Sequence, residues 1–332
     1  MMGVQQYPWL AERWAYLVRL YDQARLPHAL LINGPQGVGK AEFAHAFADY
    51  LLCHQRADGH ACGQCKSCLL SQSEAGHPDF YLLEPDEPGK PIKVDQVREL
   101  TDFVNSTAQQ GGYRLVMIDP AHDMNIAAAN ALLKTLEEPG RDTILLLLTH
   151  RLGQVMPTIK SRCQRLDIAA PASEVAVPWV ASQLQVDESQ ARLYLATANG
   201  APLVALQCAD DSLRELRQQL VDGLADILKR RRTLVEVSGQ WQKLDLEQLV
   251  SWLHGLLGDL ARLQVSQDEG QLRHDDAANM LRALSKRVSS DRLFSYIDQV
   301  AEARRALLLR QNPNKQLLVE SLLLGWIGLA QG

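Results

Sequence analysis

HALLINGPQGVGKAEF, residues 28–43, decides how this chain folds. Ala29 to Ile32 is a short apolar run of strand length, and Pro27 before it blocks a helix from running through. Gly34, four residues, then Gly39-Lys40 is the spacing of a phosphate-binding loop. Gly37 adds backbone freedom inside it. A helix over 40–53 completes the strand–loop–helix context that such a loop needs. Backbone N–H groups and a helix N-terminus can then cradle phosphate oxygens. The position after the lysine is Ala41, however, and alanine has no hydroxyl to ligand Mg²⁺. Gly34, Gly37, Gly39 and Lys40 are the candidate nucleotide-binding residues, and a productive Mg²⁺ site is not expected.

Outward from the loop, strands and helices alternate. An amphipathic helix is expected over 9–25, with Trp9, Leu10, Trp14, Leu17, Val18 and Tyr21 at helical spacing. Strands are expected at 80–83, 114–119, 144–148 and 165–168, with helices at 94–105 and 127–138, the latter stopped by Pro139-Gly140. Alternation of this kind implies a mostly parallel sheet covered by helices. The 114–119 strand ends in Asp119, where a nucleotide-hydrolysing site keeps a metal-orienting acid. The next residue, where a water-polarising Glu belongs, is Pro120. Ala41 and Pro120 together argue against self-sufficient hydrolysis. Binding of ATP or ADP without turnover stays open.

Beyond Pro171 only helical patterning is found. Helices are expected over 175–184 and 188–198, then over 212–232, 246–264, 275–287, 291–310 and 315–330. Three domains follow: an α/β domain over 1–170, a small helical domain over 171–209 and an all-helical domain over 210–332. The chain has 332 residues, and 46% of them are hydrophobic. Its formal net charge of −5 argues against a generic polyanion binder. No 18-residue apolar stretch occurs, so no membrane span is expected. The opening MMGVQQYPWL has no basic region followed by an apolar core, which points to the cytoplasm and reduced thiols.

Six cysteines are therefore read as metal ligands or packed residues. Cys62-Gly-Gln-Cys65-Lys-Ser-Cys68 has two successive C-x₂-C spacings, and Cys53 precedes Cys62 with eight residues between. Four thiolates at this density suit tetrahedral, closed-shell, structural Zn²⁺ on an insert over 53–68. His54 or His60 in place of Cys53 gives alternative ligand sets. Cys163 and Cys208 read as ordinary packed residues. Ser161-Arg162-Cys163 follows the long apolar strand. An arginine at the edge of such a domain can reach a neighbouring subunit's γ-phosphate, but most surface arginines are merely solvated.

HALLINGPQGVGK, the four-Cys insert, LVMIDPAHDM at 115–124, NALLKTLEEP at 130–139 and IKSRC at 159–163 occur in this order. Together they resemble the bacterial clamp-loader subunits of DNA polymerase III, of the AAA+ class. The resemblance is specific over about residues 1–210 and weaker beyond, where Asn312-Pro313-Asn314 and the leucines after it look like the family's final collar helix. It implies an AAA+ nucleotide-binding domain, a helical lid and a C-terminal oligomerisation collar. It also implies partners: gamma/tau and delta subunits, and, through the complex, the beta sliding clamp and primer–template DNA. Ser161 and Arg162 are then the residues offered in trans to a gamma/tau ATP site. Ala41, Pro120 and Leu203, the last standing where active relatives carry an ATP-sensing arginine, favour a non-hydrolysing member. The alternative is an ATP-hydrolysing gamma/tau-like motor. A DNA-binding role for the Cys62–Cys68 knuckle is disfavoured by its single basic residue, Lys66, and its lack of aromatics.

Overall fold

Five short runs, four of them largely apolar and each too short for a stable helix, pair into one sheet. The structure is a computed structural model in which residues 6–266, 272–309, 311 and 313–330 are described. The chain forms two compact units, Met1–Pro171 and Ala172–Gly332.

The first unit contains helix α1 (Ala11–Asp22), strand β1 (Ala29–Asn33), α2 (Lys40–Leu52), α3 (Lys66–Gln72), β2 (Phe80–Leu83), α4 (Val94–Asn105), β3 (Arg114–Ile118), α5 (Ile126–Glu137), β4 (Thr143–Thr149), the single turn α6 (Pro157–Lys160) and β5 (Gln164–Asp167). The strand order is β2-β3-β4-β1-β5 and every pairing is parallel. β3 and β4 are buried at every position, as strands covered on both faces must be. Along β1 the side chains alternate. Ala29 and Leu31 join Val116, Ile118, Leu145 and Leu147 in the core under α4 and α5. α2 contacts β4, and Trp14 of α1 meets Phe43 and Phe47 of α2 edge-on, both at 5.9 Å. The leucines of the 130–139 motif serve this packing: Leu132 and Leu136 are fully buried against the sheet.

β1 lies between β4 and β5, so the chain crosses over it to place its last strand. Where strand order reverses, a crevice opens at the carboxyl ends of the strands. The loop after β1 emerges there.

The second unit is helical throughout its described residues. α7 (Ser173–Leu184), α8 (Glu188–Thr197) and α9 (Pro202–Gln207) share one apolar cluster, which includes Tyr194 and Cys208. α10 (Asp211–Leu228), α11 (Leu234–Trp241), α12 (Leu246–Val265), α13 (Ala278–Ser285), α14 (Ser290–Leu308) and α15 (Lys315–Ala330) share another, centred on Trp241, Trp252 and Trp326. Gly223 lets α10 and α11 meet closely, since a Cβ there would lie 3.0 Å from Val237.

Several boundaries differ from those expected. The helix expected over 212–232 ends at Leu228, where Arg230 takes a φ of +55°, and a separate α11 follows. Thr233 and Glu236 form a reciprocal capping box that starts it. α3 and α9 were not expected. α9 begins with Pro202 at its first position, where the missing N–H costs nothing. The first helix spans only 11–22, preceded by a 3₁₀ turn at Pro8–Leu10 and closed before Ala24, whose φ is +52°. The helix expected over 275–287 narrows to Ala278–Ser285 behind a 3₁₀ turn. Arg310 and Asn312, part of the expected last two helices and their connection, lie outside the described residues.

Leu132→Ala should lower the stability of the sheet-bearing unit by about 2–5 kcal/mol, the usual cost of such a truncation in a packed core. A urea titration followed by tryptophan fluorescence checks this.

Candidate functional site

The loop from Gly34 to Lys40 is shaped by what lies against it. A Cβ at residue 34 would fall 2.1 Å from the Ile168 carbonyl oxygen, so only glycine fits. The N–H of Gly34 donates to the Thr149 carbonyl at 3.2 Å, which fixes the exit from β1 against the end of β4. Gly37 and Gly39 have φ of +75° and +90°, in the left-handed region that glycine enters without strain.

Lys40, at the first position of α2, is buried, and its Nζ donates to the Pro35 carbonyl at 2.6 Å. Burial pulls its pKa down to about 8, against the opposing charges of Asp119 and Glu42. Asp119, just past the end of β3, is raised by burial, with Lys40 as the chief opposing charge. The structure thus brings Asp119 and Lys40 within electrostatic reach, although β4 separates their strands. Pro120 follows a cis peptide bond and leads into a 3₁₀ turn at Ala121–Asp123. Leu203 is the second residue of α9, in the other unit.

Sequence reasoning missed two sets of residues around the loop. The Trp9 indole donates to the Val38 carbonyl at 2.9 Å, and Leu10 and Tyr7 lie where a Cβ on Gly39 would reach. A buried polar cluster also sits at the end of β4. His122 Nδ1 and Thr149 Oγ1 are 3.0 Å apart, and the His150 ring meets His122 edge-on at 4.3 Å. Burial, with His122 and Lys40 nearby, holds His150 down to about 3, so it is neutral. Both sets are long-range meetings that carry no local pattern. Asn125 caps α5, its side chain accepting from the Ala128 N–H at 2.8 Å.

The second constellation is the cysteine insert between α2 and β2. The sulfurs of Cys53, Cys62, Cys65 and Cys68 all lie within 4.8 Å of one another. Cys53–Cys65 and Cys62–Cys68 are 3.9 Å apart, and Cys65–Cys68 3.5 Å. Metal–sulfur bonds of about 2.3 Å in a tetrahedron put sulfurs about 3.8 Å apart, so this donor set fits a thiolate-bound metal ion. Backbone N–H groups of Gln55 and Cys62 point at the Cys53 sulfur, and that of Cys65 at the Cys62 sulfur. Such donors favour thiolates. Burial pushes the Cys65 thiol up, but backbone N–H groups of Cys68 and His54 outweigh it and bring it to about 6. Burial raises Cys53 and Cys68, while the N–H groups of Gln64 and Cys65 lower Cys62. His60 stacks on Trp14 at 5.4 Å and takes no part in the cluster, and His54 is likewise outside it.

A buried polar chain, Ser67, His77 and Asp79, ties the insert to the sheet. The Ser67 hydroxyl donates to the Leu52 carbonyl at 2.7 Å and meets His77 Nε2 at 2.8 Å. His77 Nδ1 accepts the Asp79 N–H, so Nε2 carries the ring proton. The Asp79 carboxylate accepts from the N–H groups of Gln109 and Gln110 at 2.6 and 2.8 Å.

The third constellation is the turn after α6. Arg162 donates through Nε to a Glu137 carboxylate oxygen at 2.8 Å and through Nη2 to the same oxygen. Nη1 donates to the Thr158 carbonyl at 3.0 Å. The Ser161 hydroxyl donates to Thr158 as well, also at 3.0 Å, and so closes the turn. The Arg162 side chain is 34% exposed. Cys163 packs its sulfur toward the core under α5, where burial raises it to about 12. Among the described residues, no helix is long and apolar enough to cross a membrane.

Comparison with known proteins adds the following. A family model described as DNA polymerase III, delta subunit, matches residues 10–172, and one described as its C-terminal part matches 212–328. DNA polymerase III subunit delta' of Pseudomonas aeruginosa is 37% identical over 324 residues, covering 97% of this chain and 98% of the relative. The Escherichia coli protein of that name is 33% identical, covering 96% of this chain and 94% of the relative. DNA polymerase III subunit tau of Bacillus subtilis is 32% identical over 237 residues, 70% of this chain and 40% of its own length.

Because Lys40 holds a proton less tightly when folded than the ordinary 10.5, its burial costs stability fully below about pH 8. That cost fades as pH rises from about 8 toward 10.5. Lys40→Met should therefore be more stable than wild type at pH 7, with the difference shrinking over this window. Paired denaturation curves at pH 7 and pH 10 test it.

Proposed function

The chain belongs to the delta-prime family of DNA polymerase III subunits, and from that premise we propose a clamp-loader subunit that completes a neighbour's ATP site without turning ATP over itself. The observation that carries the reading is Arg162. Its guanidinium stands partly exposed on a turn held by Ser161 and Thr158, where a second subunit can reach it. A planar cation at that place can stabilise charge developing on a γ-phosphate in a neighbouring gamma/tau subunit.

The chain's own loop supports the other half. Ala41 supplies no ligand to Mg²⁺, and Pro120 no base. The Lys40 ammonium, which would reach the β- and γ-phosphates, is bonded to the loop's own Pro35 carbonyl. The assigned division is a nucleotide-binding domain over 1–170, a lid over 171–209 and a collar over 210–332. The separate apolar clusters of α7–α9 and α10–α15 support the last boundary. Through the collar this subunit joins gamma/tau and delta subunits in a ring, which loads the beta sliding clamp onto primer–template DNA. Cys53, Cys62, Cys65 and Cys68 hold a structural Zn²⁺. Four thiolates close its shell, and the insert lends it no open position for catalysis.

The isolated chain should hydrolyse ATP no faster than a buffer blank. In the reconstituted loader, Arg162→Ala in this chain alone should lower DNA- and clamp-stimulated ATP turnover. An arginine finger is worth about 10³–10⁵ at its own site, and the whole-complex loss is smaller because other sites remain. Unchanged turnover with the assembly intact would refute the reading.

Metal analysis of protein purified without chelator should give one zinc per chain. Cys65→Ser should lose it and unfold at a lower temperature. Full stability of a metal-free preparation would count against the site.

A further inference from the structure

We propose that Glu137 is the positioning residue for Arg162, holding the guanidinium in the orientation from which a neighbouring subunit's triphosphate meets it. The proposal rests on the reading of Arg162 above. Glu137 is the last residue of α5, which contacts α6. The helix ends there because Pro139 lies just ahead. A rigid, sheet-packed element therefore sets where this carboxylate stands, while Arg162 lies on a short turn.

An arginine on a turn has several rotatable bonds and, left alone, samples many orientations. Here two sides restrain it. Glu137 takes Nε at 2.8 Å together with Nη2, and the Thr158 carbonyl takes Nη1 at 3.0 Å. Nη1 also reaches Ser161 Oγ at 3.5 Å, and of the five N–H donors one on Nη2 is left for phosphate oxygens. The partners are not equivalent to a buried pair. The side chains are 34% and 52% exposed, so solvent screens the attraction and the carboxylate does not cancel the cation for an incoming anion. Glu137 thus contributes direction more than binding energy. The adjacent Glu138 is exposed and makes no such bond in the structure.

The test is a double-variant cycle in the assembled loader, with kcat and KM for ATP separated. This chain is supplied as wild type, Glu137→Gln, Glu137→Ala, Arg162→Ala or the double Ala variant. Glu137→Ala should lower kcat at the affected site on the order of tenfold, the scale of a misplaced catalytic group, with KM unchanged. Glu137→Gln, which keeps an acceptor, should recover part of the loss. The double variant should be no slower than Arg162→Ala alone. In the isolated chain, the Arg162 Nε–H resonance should exchange slowly with solvent in wild type and quickly in Glu137→Ala. If the double variant shows the product of the two single losses, or if Glu137→Ala runs at the wild-type rate while Arg162→Ala is slow, the positioning role falls and the Arg162 reading stands. If Nε–H exchange is unchanged by Glu137→Ala, the positioning role also falls. If Arg162→Ala runs at the wild-type rate, both fall.

Discussion

The backbone leaving β1 must pass directly under the Ile168 carbonyl, and everything at the carboxyl edge of the sheet depends on that passage. Because β1 is paired on both sides, with β4 and with β5, it cannot shift to make room. Only a residue without a Cβ clears the obstacle, and the turn that follows needs two further residues at positive φ. Trp9, Leu10 and Tyr7 then close over the turn. The loop is thus defined by steric limits from the sheet on one side and the N-terminal segment on the other. Its shape would persist whatever it binds.

Given that shape, the charges inside it are constrained. Lys40 is too deeply placed to be well solvated, so it must find acceptors within the protein. The Pro35 carbonyl supplies one and the field of Asp119 supplies compensation. His150, packed beside this positive charge and against His122, stays neutral for the same reason that Lys40 is easily deprotonated: burial penalises any further cation. Lys40 and the Asp119 carboxyl oppose each other's charge, and His150 adds none. Losing the Lys40 charge would push the Asp119 carboxyl higher still and would ease the hold on His150.

The sheet and its connecting helices were readable because four of the five strands are short, largely apolar runs bounded by turn residues, while β5 buries only Leu166. The loop spacing was readable because glycine is needed at fixed offsets. β2 was placed to the residue, and the strand ends elsewhere shifted by one. The all-helical region was harder. There the expected helix ran through Lys229-Arg230-Arg231-Arg232, although this basic run breaks the apolar pattern just after Leu228. The Thr233–Glu236 pair that restarts the chain was a legible signal, visible only when side-chain-to-backbone pairing is sought. At the sites, the cysteine spacing anticipated four converging sulfurs. The roles of Trp9, His122 and Glu137 were invisible, because each depends on a partner that only the folded chain brings near, 29, 27 and 25 residues away.

The chain from Leu52 through Ser67, His77 and Asp79 to Gln109 and Gln110 has a consequence for how this insert could change through descent. Ser67 and Asp79 are wholly buried and His77 nearly so, and each satisfies the next. A deletion of the cysteine knuckle would remove the Ser67 hydroxyl from both the Leu52 carbonyl and His77 Nε2. Both would have to be repaired at once, by substitutions at the end of α2 and at the entry to β2. A lineage therefore cannot shed the knuckle one residue at a time without passing through poorly folded intermediates. The Ser67 hydroxyl joins the insert to the rest of the domain through contacts separate from the four sulfurs.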